Sequence, residues 1–195
     1  MTEFYETNYR RYLPKNKDAK ILEIGHGNGA FILWLYSKNY SDITGIEKDI
    51  DCLTFLKTSK ETYDFIICRH VMYYFKRDEL QDWISAMHGA LKPNGRLMIE
   101  VFNAFGVFGT WPCYVDPTIT IAFNDVSFKK LLESGFDNVL IYEGIMPGHG
   151  FKHFLWVLFR QIWFSILKVA MILERGIDIN NPKIFGKNII GMAIK

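Results

Sequence analysis

Three glycines alternate with other residues in Gly25-His26-Gly27-Asn28-Gly29, directly after the apolar run Ile21-Leu22-Glu23-Ile24. Glycine carries no Cβ, so such a stretch turns sharply and brings bare main chain against a ligand. Two acids accompany it. Glu23 interrupts the apolar run, and Glu47 follows about twenty residues past the first glycine, after a second short apolar run. An acid at that place accepts hydrogen bonds from a vicinal pair of hydroxyls such as those of ribose. The spacing is G-x-G-x-G, and a dinucleotide binder that cradles pyrophosphate carries G-x-G-x-x-G. Nicotinamide-dependent hydride transfer is therefore disfavoured, and a ligand built on a single nucleoside is favoured.

These residues need a frame. Residues 19–24 read as a short buried strand, 25–29 as the turn, and 30–37 as a helix packed on a sheet. Residues 42–47 and 64–68 read as further strands, short and apolar as parallel strands covered on both faces are. Residues 78–91 have helical periodicity, with Leu80, Trp83, Ile84, Met87 and Leu91 on one face. Lys92-Pro93-Asn94-Gly95 reads as the stop of that helix. A strand over 96–102, a helix over 127–133, a strand over 138–143 and a last strand over 188–194 complete the pattern. Strand and helix in alternation predict an α/β sheet wound on both sides. In such a sheet the ligand lies beyond the carboxyl ends of the strands, at the switch point.

Composition narrows the classes. The 195 residues suffice for one domain, 1–195, and 49% are hydrophobic, which argues against disorder. The formal net charge is +2, with no run of Lys and Arg of the kind that tracks phosphates, so no nucleic-acid partner is expected. Cys52, Cys68 and Cys113 lie far apart and have neither disulfide nor metal-ligand spacing. They read as reduced packing cysteines of a cytoplasmic protein. The N-terminus lacks the apolar core of a signal peptide.

The glycine run ILEIGHGNGAF resembles the first motif of the class I S-adenosylmethionine-dependent methyltransferases. ITGIEKD is similar to their second strand with its ribose-binding acid, TYDFIICRHVMYYF to their fourth strand and the loop after it, and ALKPNGRLMIEVFN to the helix, turn and strand that follow. The resemblance runs from about residue 9 to 136 and takes in the final strand; more narrowly it points to the subgroup that methylates bacterial surface polysaccharides and glycans. It implies a Rossmann-like, doubly wound, mostly parallel sheet with an antiparallel last strand, and S-adenosyl-L-methionine as cofactor. By that resemblance Glu23, Gly25, Gly27 and Gly29 shape the methionine and ribose end of the site, with His26 and Asn28 inside the same turn. Glu47 holds the ribose hydroxyls, with Lys48 beside it, and Asp51 matches the acid that reads the adenine amino group. Arg69 and His70 line the methionine and acceptor side.

Two stretches depart from the family. Between the second and fourth strands a usual member fits a helix and an edge strand; here residues 49–63 have room for one short helix. A parallel pair needs a crossover of a dozen or more residues, so the fold is expected to be shortened by that helix and strand. The segment 114–123 is similar to a family stretch that carries His-Glu after a threonine, where this chain has Ile119 and Thr120. Methyl transfer depends mainly on holding an acceptor in line, and a base assists when the acceptor is a hydroxyl. His70 is the first candidate base and Asp116 the second, with His149 and Tyr73 as further alternatives. Tyr73, Tyr74 and Phe75 read either as core or as aromatic faces near the sulfonium. His88 reads as a surface histidine. No cluster has metal-ligand spacing. The two departures leave a second reading open, a catalytically impaired relative with a binding or regulatory role.

Residues 151–173 form a long apolar helix inserted before the last strand. Arg160, Gln161 and Lys168 interrupt it, so a true span is disfavoured. With His153 and Ser165 they take one broad side of the helical wheel, with Trp156, Phe159, Trp163 and Ile166 mostly elsewhere. Packing on the sheet, pairing with a second copy in a homodimer, and peripheral contact with the inner face of a membrane all suit that pattern. Membrane contact would suit a lipid-linked glycan acceptor; a small-molecule acceptor needs none.

Overall fold

The computed structural model describes residues 2–47 and 51–195. Lys48, one of the expected ligand-binding residues, lies outside the described residues. Six strands form a single sheet in the order β2-β1-β3-β4-β6-β5. They are β1 (Ile21–Ile24), β2 (Ile43–Ile46), β3 (Tyr63–Arg69), β4 (Leu91–Phe102), β5 (Asn138–Glu143) and β6 (Asn188–Ile194). β1, β2, β3 and β4 pair in parallel, whereas β6 runs antiparallel to both β4 and β5. This is the Rossmann-like mixed sheet expected from the sequence. β2 stands at the sheet's edge, and only the short helix α3 (Cys52–Thr58) lies between it and β3. The edge strand beyond β2 is absent among the described residues.

The sheet is covered on both faces, and strand alternation sorts its residues between them. Ile21, Phe65, Ile67 and Met98 point to a face packed by helix α2 (Ala30–Ser37) through Phe31, Trp34 and Leu35, and by α1 (Thr2–Asn8) through Tyr5. Leu22, Ile66, Leu97 and Ile99 point to the opposite face, packed by α4 (Leu80–Ala90) and α6 (Asp125–Glu133) through Trp83, Ile84, Phe128 and Leu132. α6 begins with a reciprocal cap in which the Asn124 side chain accepts from the Ser127 amide and the Ser127 hydroxyl accepts from the Asn124 amide.

Two expectations need correction. Residues 92–95 do not simply separate helix from strand: β4 begins at Leu91, pairing with Tyr63, and the register shifts before Phe65 pairs with Arg96. The sheet captures the turn because the Asn94 amide donates to Lys195 O and the Lys195 amide to Gly95 O, while the Lys92 ammonium pairs with Asp64 at 2.6 Å. Helix α7 (Gly150–Arg175) matches the long apolar helix, but Arg160 does not belong to its watery side. Its guanidinium pairs with Glu143 at the end of β5 and lies over the rings of Trp156 and Phe164, with centroid distances of 5.5 and 4.4 Å.

The glycine turn is tight for a local reason. Gly25, Gly27 and Gly29 have φ of +74°, +54° and +71°, all in the left-handed region. A Cβ on Gly25 would run into Cγ2 of Val71, whereas at Gly27 and Gly29 it would meet nothing within 4 Å. Gly25→Ala is therefore expected to lower unfolding free energy by about 2–5 kcal/mol, combining a left-handed penalty of ~1–2 kcal/mol with overpacking of ~1–3 kcal/mol. Gly27→Ala should cost only the first of these, about 1–2 kcal/mol. Urea unfolding of both, with Gly25→Ala repeated on a Val71→Ala background that relieves the clash, separates the two contributions.

Candidate functional site

The carboxyl ends of β1, β3 and β4 carry three charged residues on the face that α1 and α2 cover: Glu23, Arg69 and Glu100. Register places Glu23 opposite Ile67 and Arg69 opposite Glu100, so side chains of equal parity meet in one row. Glu23 is fully buried, and Arg69 Nη2 donates to its Oε1 at 2.9 Å. Burial pushes the Glu23 carboxyl upward, and the Arg69 charge opposes that shift. The guanidinium carbon of Arg69 also lies 4.9 Å from the Tyr5 ring centroid and 4.7 Å from that of Phe31. Glu100 accepts from the Tyr9 hydroxyl and, at 2.7 Å, from Asn188 Nδ2.

His70 follows directly. Its φ is +56°, a left-handed value that costs energy for any residue with a Cβ. The conformation is held by its own amide, which donates to Glu100 O at 2.8 Å. The imidazole Nε2 stands 3.6 Å from Glu100 Oε1, and the ring lies 4.7 Å from that of Phe102. Burial lowers the His70 pKa; Glu100 opposes that shift, and the positive charges of Arg69 and Lys187 add to it. Three buried polar atoms in this row, Glu23 Oε2, Arg69 Nε and His70 Nδ1, have no hydrogen-bond partner among the described residues. A ligand with complementary polar groups would complete them.

The glycine turn adjoins this row on the β2 side. The Gly25 amide donates to Ile46 O at 2.7 Å, and His26 Nδ1 lies 3.3 Å from Glu47 Oε1, so Glu47 stands beside the turn. The turn and the start of α2 line an open concavity of about 390 Å³. Asn28 Oδ1 accepts from the Ala30 amide at 3.2 Å, which places it in the helix start. Asp51 caps α3, accepting from the Thr54 amide at 3.0 Å and its hydroxyl at 2.6 Å. Asp116 accepts from Tyr74 Oη at 2.8 Å and from the Thr118 hydroxyl at 2.6 Å, at the foot of α5 (Trp111–Val115). His149 precedes α7 and pairs with Glu3 at 3.1 Å. Glu23, the glycines, Glu47, Arg69 and His70 thus share one end of the sheet, while Asp51 and Asp116 are engaged in local turns.

Sequence reading missed Glu100, Tyr9 and Asn188. A signal existed for Glu100: it is a lone acid inside an apolar strand, as Glu23 is inside Ile21–Ile24. No such signal marks Tyr9, which the short helix α1 delivers.

A mixed sheet with a glycine bend at its switch point and an acid on the neighbouring strand defines a nucleoside-binding α/β domain of Rossmann type. Residues 1–140 match the family described as methyltransferase domain, and the chain belongs to that family. Among solved structures the fold is similar to an S-adenosylmethionine-dependent methyltransferase from Archaeoglobus fulgidus, with TM-score 0.67, 20% identity, and cover of 100% of this chain and 95% of that one. It is also similar to phosphoethanolamine N-methyltransferase 2 of Haemonchus contortus in complex with S-adenosyl-L-methionine, with TM-score 0.59, 14% identity, and cover of 97% of this chain and 51% of that one. A curated relative, probable polyketide synthase 14 of Dictyostelium discoideum, is 37% identical over 82 residues; the match takes in 38% of this chain and 3% of that protein's length.

Removing one member of the buried pair should be far worse than removing both. Arg69→Met leaves the Glu23 charge stranded and is expected to cost about 3–5 kcal/mol, whereas Glu23→Gln combined with Arg69→Met should recover most of that loss. Urea denaturation of both single variants and the double variant checks the difference; a double-variant cost equal to the sum of the single costs would mean the pair is not coupled.

Proposed function

We propose that this domain transfers a methyl group from S-adenosyl-L-methionine to a hydroxyl of a small-molecule or lipid-linked glycan acceptor. The observation that carries the reading is the row of unpartnered buried polar atoms on Glu23, Arg69 and His70, set beside a left-handed glycine turn and Glu47. Membership in the methyltransferase-domain family supports it.

The residues present suit this donor. Glu47 would accept hydrogen bonds from the ribose hydroxyls, and the open space at Gly27 and Gly29 lets main chain approach the nucleoside. Glu23 and Arg69 offer a carboxylate and a guanidinium to the ammonium and carboxylate of the methionine end. When bound, the donor supplies a methyl on a positive sulfonium; the acceptor oxygen takes that carbon as the sulfur–carbon bond breaks, gives up its proton, and S-adenosylhomocysteine leaves. His70 is the group we assign to receive the proton, because burial keeps its imidazole neutral and Nδ1 has no other partner. Phe102 and Tyr73, stacked with ring centroids 5.1 Å apart, wall the acceptor side.

α7 supplies the second part of the proposal, peripheral membrane contact. Phe154, Leu158, Ile162, Ile166, Val169 and Leu173 recur at helical spacing, and all are exposed. Met171 is the one residue of the helix that is buried. Apart from Arg160, which Glu143 neutralises, three basic residues, Lys152, Lys168 and Arg175, stand against one acid, Glu174, within the helix. That balance suits an anionic interface.

One observation favours the alternative, a relative that keeps the fold without turnover: Glu23 and Arg69 already satisfy one another in part, and Asp51 is committed to its cap. Isothermal titration with S-adenosylmethionine and S-adenosylhomocysteine, followed by a turnover assay, decides between them. Saturable binding is expected, weakened roughly 10- to 100-fold in Glu47→Ala through loss of charge-assisted hydrogen bonds. No heat at millimolar ligand would rule out the methyl-donor reading.

The base assignment has its own test. A base must be deprotonated to work, so a pKa displaced downward keeps His70 active across neutral pH and lets protonation disable it only in acid. Proton NMR of the imidazole Cε1–H, assigned with a His70→Gln variant, should show a midpoint below the ordinary value of about 6.5. A midpoint above it would remove His70 as the resting base.

A further inference from the structure

A cavity lies between α7 and the chain that follows β4. It measures about 660 Å³, within the range of small-molecule sites. Trp156, Phe159, Arg160, Trp163, Phe164 and Leu167 of α7 line one side, at the i, i+3, i+4, i+7 spacing of a single helix face. This face is distinct from the exposed stripe that runs from Phe154 to Leu173. Phe108 and Trp111 close the opposite side. Phe102 forms the inner wall; its ring stacks on Tyr73 at 5.1 Å and lies tilted against His70 at 4.7 Å. The cavity therefore opens onto the acceptor side of the row just described.

Its polar groups are few and of one sign. Arg160 is neutralised by Glu143. Lys187, at the start of the approach to β6, lines the same cavity, is exposed, and has no ion-pair partner among the described residues. Its charge is felt at His70, where it disfavours the imidazolium. An aromatic chamber with one unpaired ammonium at its mouth, next to a base, is built for a molecule with an apolar body and an anionic end. A bilayer would lie against the other stripe of α7.

We propose that this cavity binds a single anionic amphiphile, an apolar chain bearing a carboxylate or phosphate that pairs with Lys187, and that a hydroxyl of the same molecule is the acceptor, taking the methyl carbon as its proton passes to His70. Only the word acceptor rests on the methyl-transfer reading; binding itself does not.

Three tryptophans, Trp111, Trp156 and Trp163, line the cavity, while Trp34 and Trp83 are 2% and 5% exposed in the core. Intrinsic fluorescence thus reports on occupancy. Dibromostearate, added to the full chain below its micelle concentration, should quench saturably at one molecule per chain, and unbrominated stearate should reverse the effect. Lys187→Glu, at an exposed position, should weaken stearate about tenfold or more while leaving competition by stearyl alcohol unchanged. Leu167→Arg, which intrudes on the apolar wall, should abolish saturable quenching, with thermal unfolding checked to show that the variant folds. Three results would overturn the proposal: quenching that rises linearly without saturation, no effect of Lys187→Glu, or quenching seen only with brominated phospholipid vesicles, which would leave the membrane reading alone. S-adenosylhomocysteine titration on the same sample keeps the two ideas apart. Stearate binding without nucleoside binding would sink methyl transfer and leave the cavity assignment standing, and the reverse result would do the opposite.

Discussion

The row Glu23–Arg69–Glu100 is the constraint around which this end of the molecule is arranged. Two carboxylates sit almost without solvent on β1 and β4, the strands that flank β3. Charges so placed are tolerated only when paired and hydrogen-bonded. Arg69 answers Glu23, while Tyr9 and Asn188 answer Glu100. The partners come from β3, from the chain just past α1, and from β6, so the polar row ties three separated parts of the chain to the switch point. Tyr5 and Tyr9, stacked at 5.7 Å, carry that tie into α1. The N-terminal helix thus covers this end of the sheet through contacts with the same buried charges.

Much of this was legible in the sequence because backbone demands leave marks in residue type. The strand, glycine turn and helix over 19–37 could be read because three left-handed positions in five residues call for glycine, and because apolar runs of four to six residues mark covered strands. β5 and β6 fell where the runs 138–143 and 188–194 put them. The Lys92-Pro93-Asn94-Gly95 stop was read as local chemistry, and tertiary pairing with Lys195 drew it into β4. α1 left no mark, since seven residues are too few to show a helical period. Glu100 was visible as an oddity, but a lone acid in a strand names no partner. Arg160 shows the limit most clearly: a helical wheel sorts side chains by angle, and only the fold reveals that Glu143 waits at that angle.

α7 therefore has two apolar faces with different physical meanings. One is concave in context, since it closes a chamber with Phe108, Trp111 and Phe102. The other has no partner in the chain. The Arg160–Glu143 pair lies on the chamber side, where the surrounding rings of Trp156 and Phe164 exclude water and strengthen it. An anchor of this kind fixes the helix at the end of β5 without burying its length. That arrangement accounts for a helix of 26 residues whose buried set is Met171 alone.

The shortened edge shifts the burden of recognition. With β2 at the margin of the sheet and the Asp51 carboxylate taken up by Thr54, the adenine side of the cleft holds fewer committed polar groups among the described residues than the ribose and methionine sides. Affinity for a nucleoside donor must then come mainly from Glu47, the open main chain at Gly27 and Gly29, and the polar row at Glu23 and Arg69. Such a distribution makes binding depend on charge-assisted hydrogen bonds more than on an enclosed base pocket. On the reading proposed above, the discriminating contacts would lie close to His70 and Phe102, between the glycine turn and the cavity.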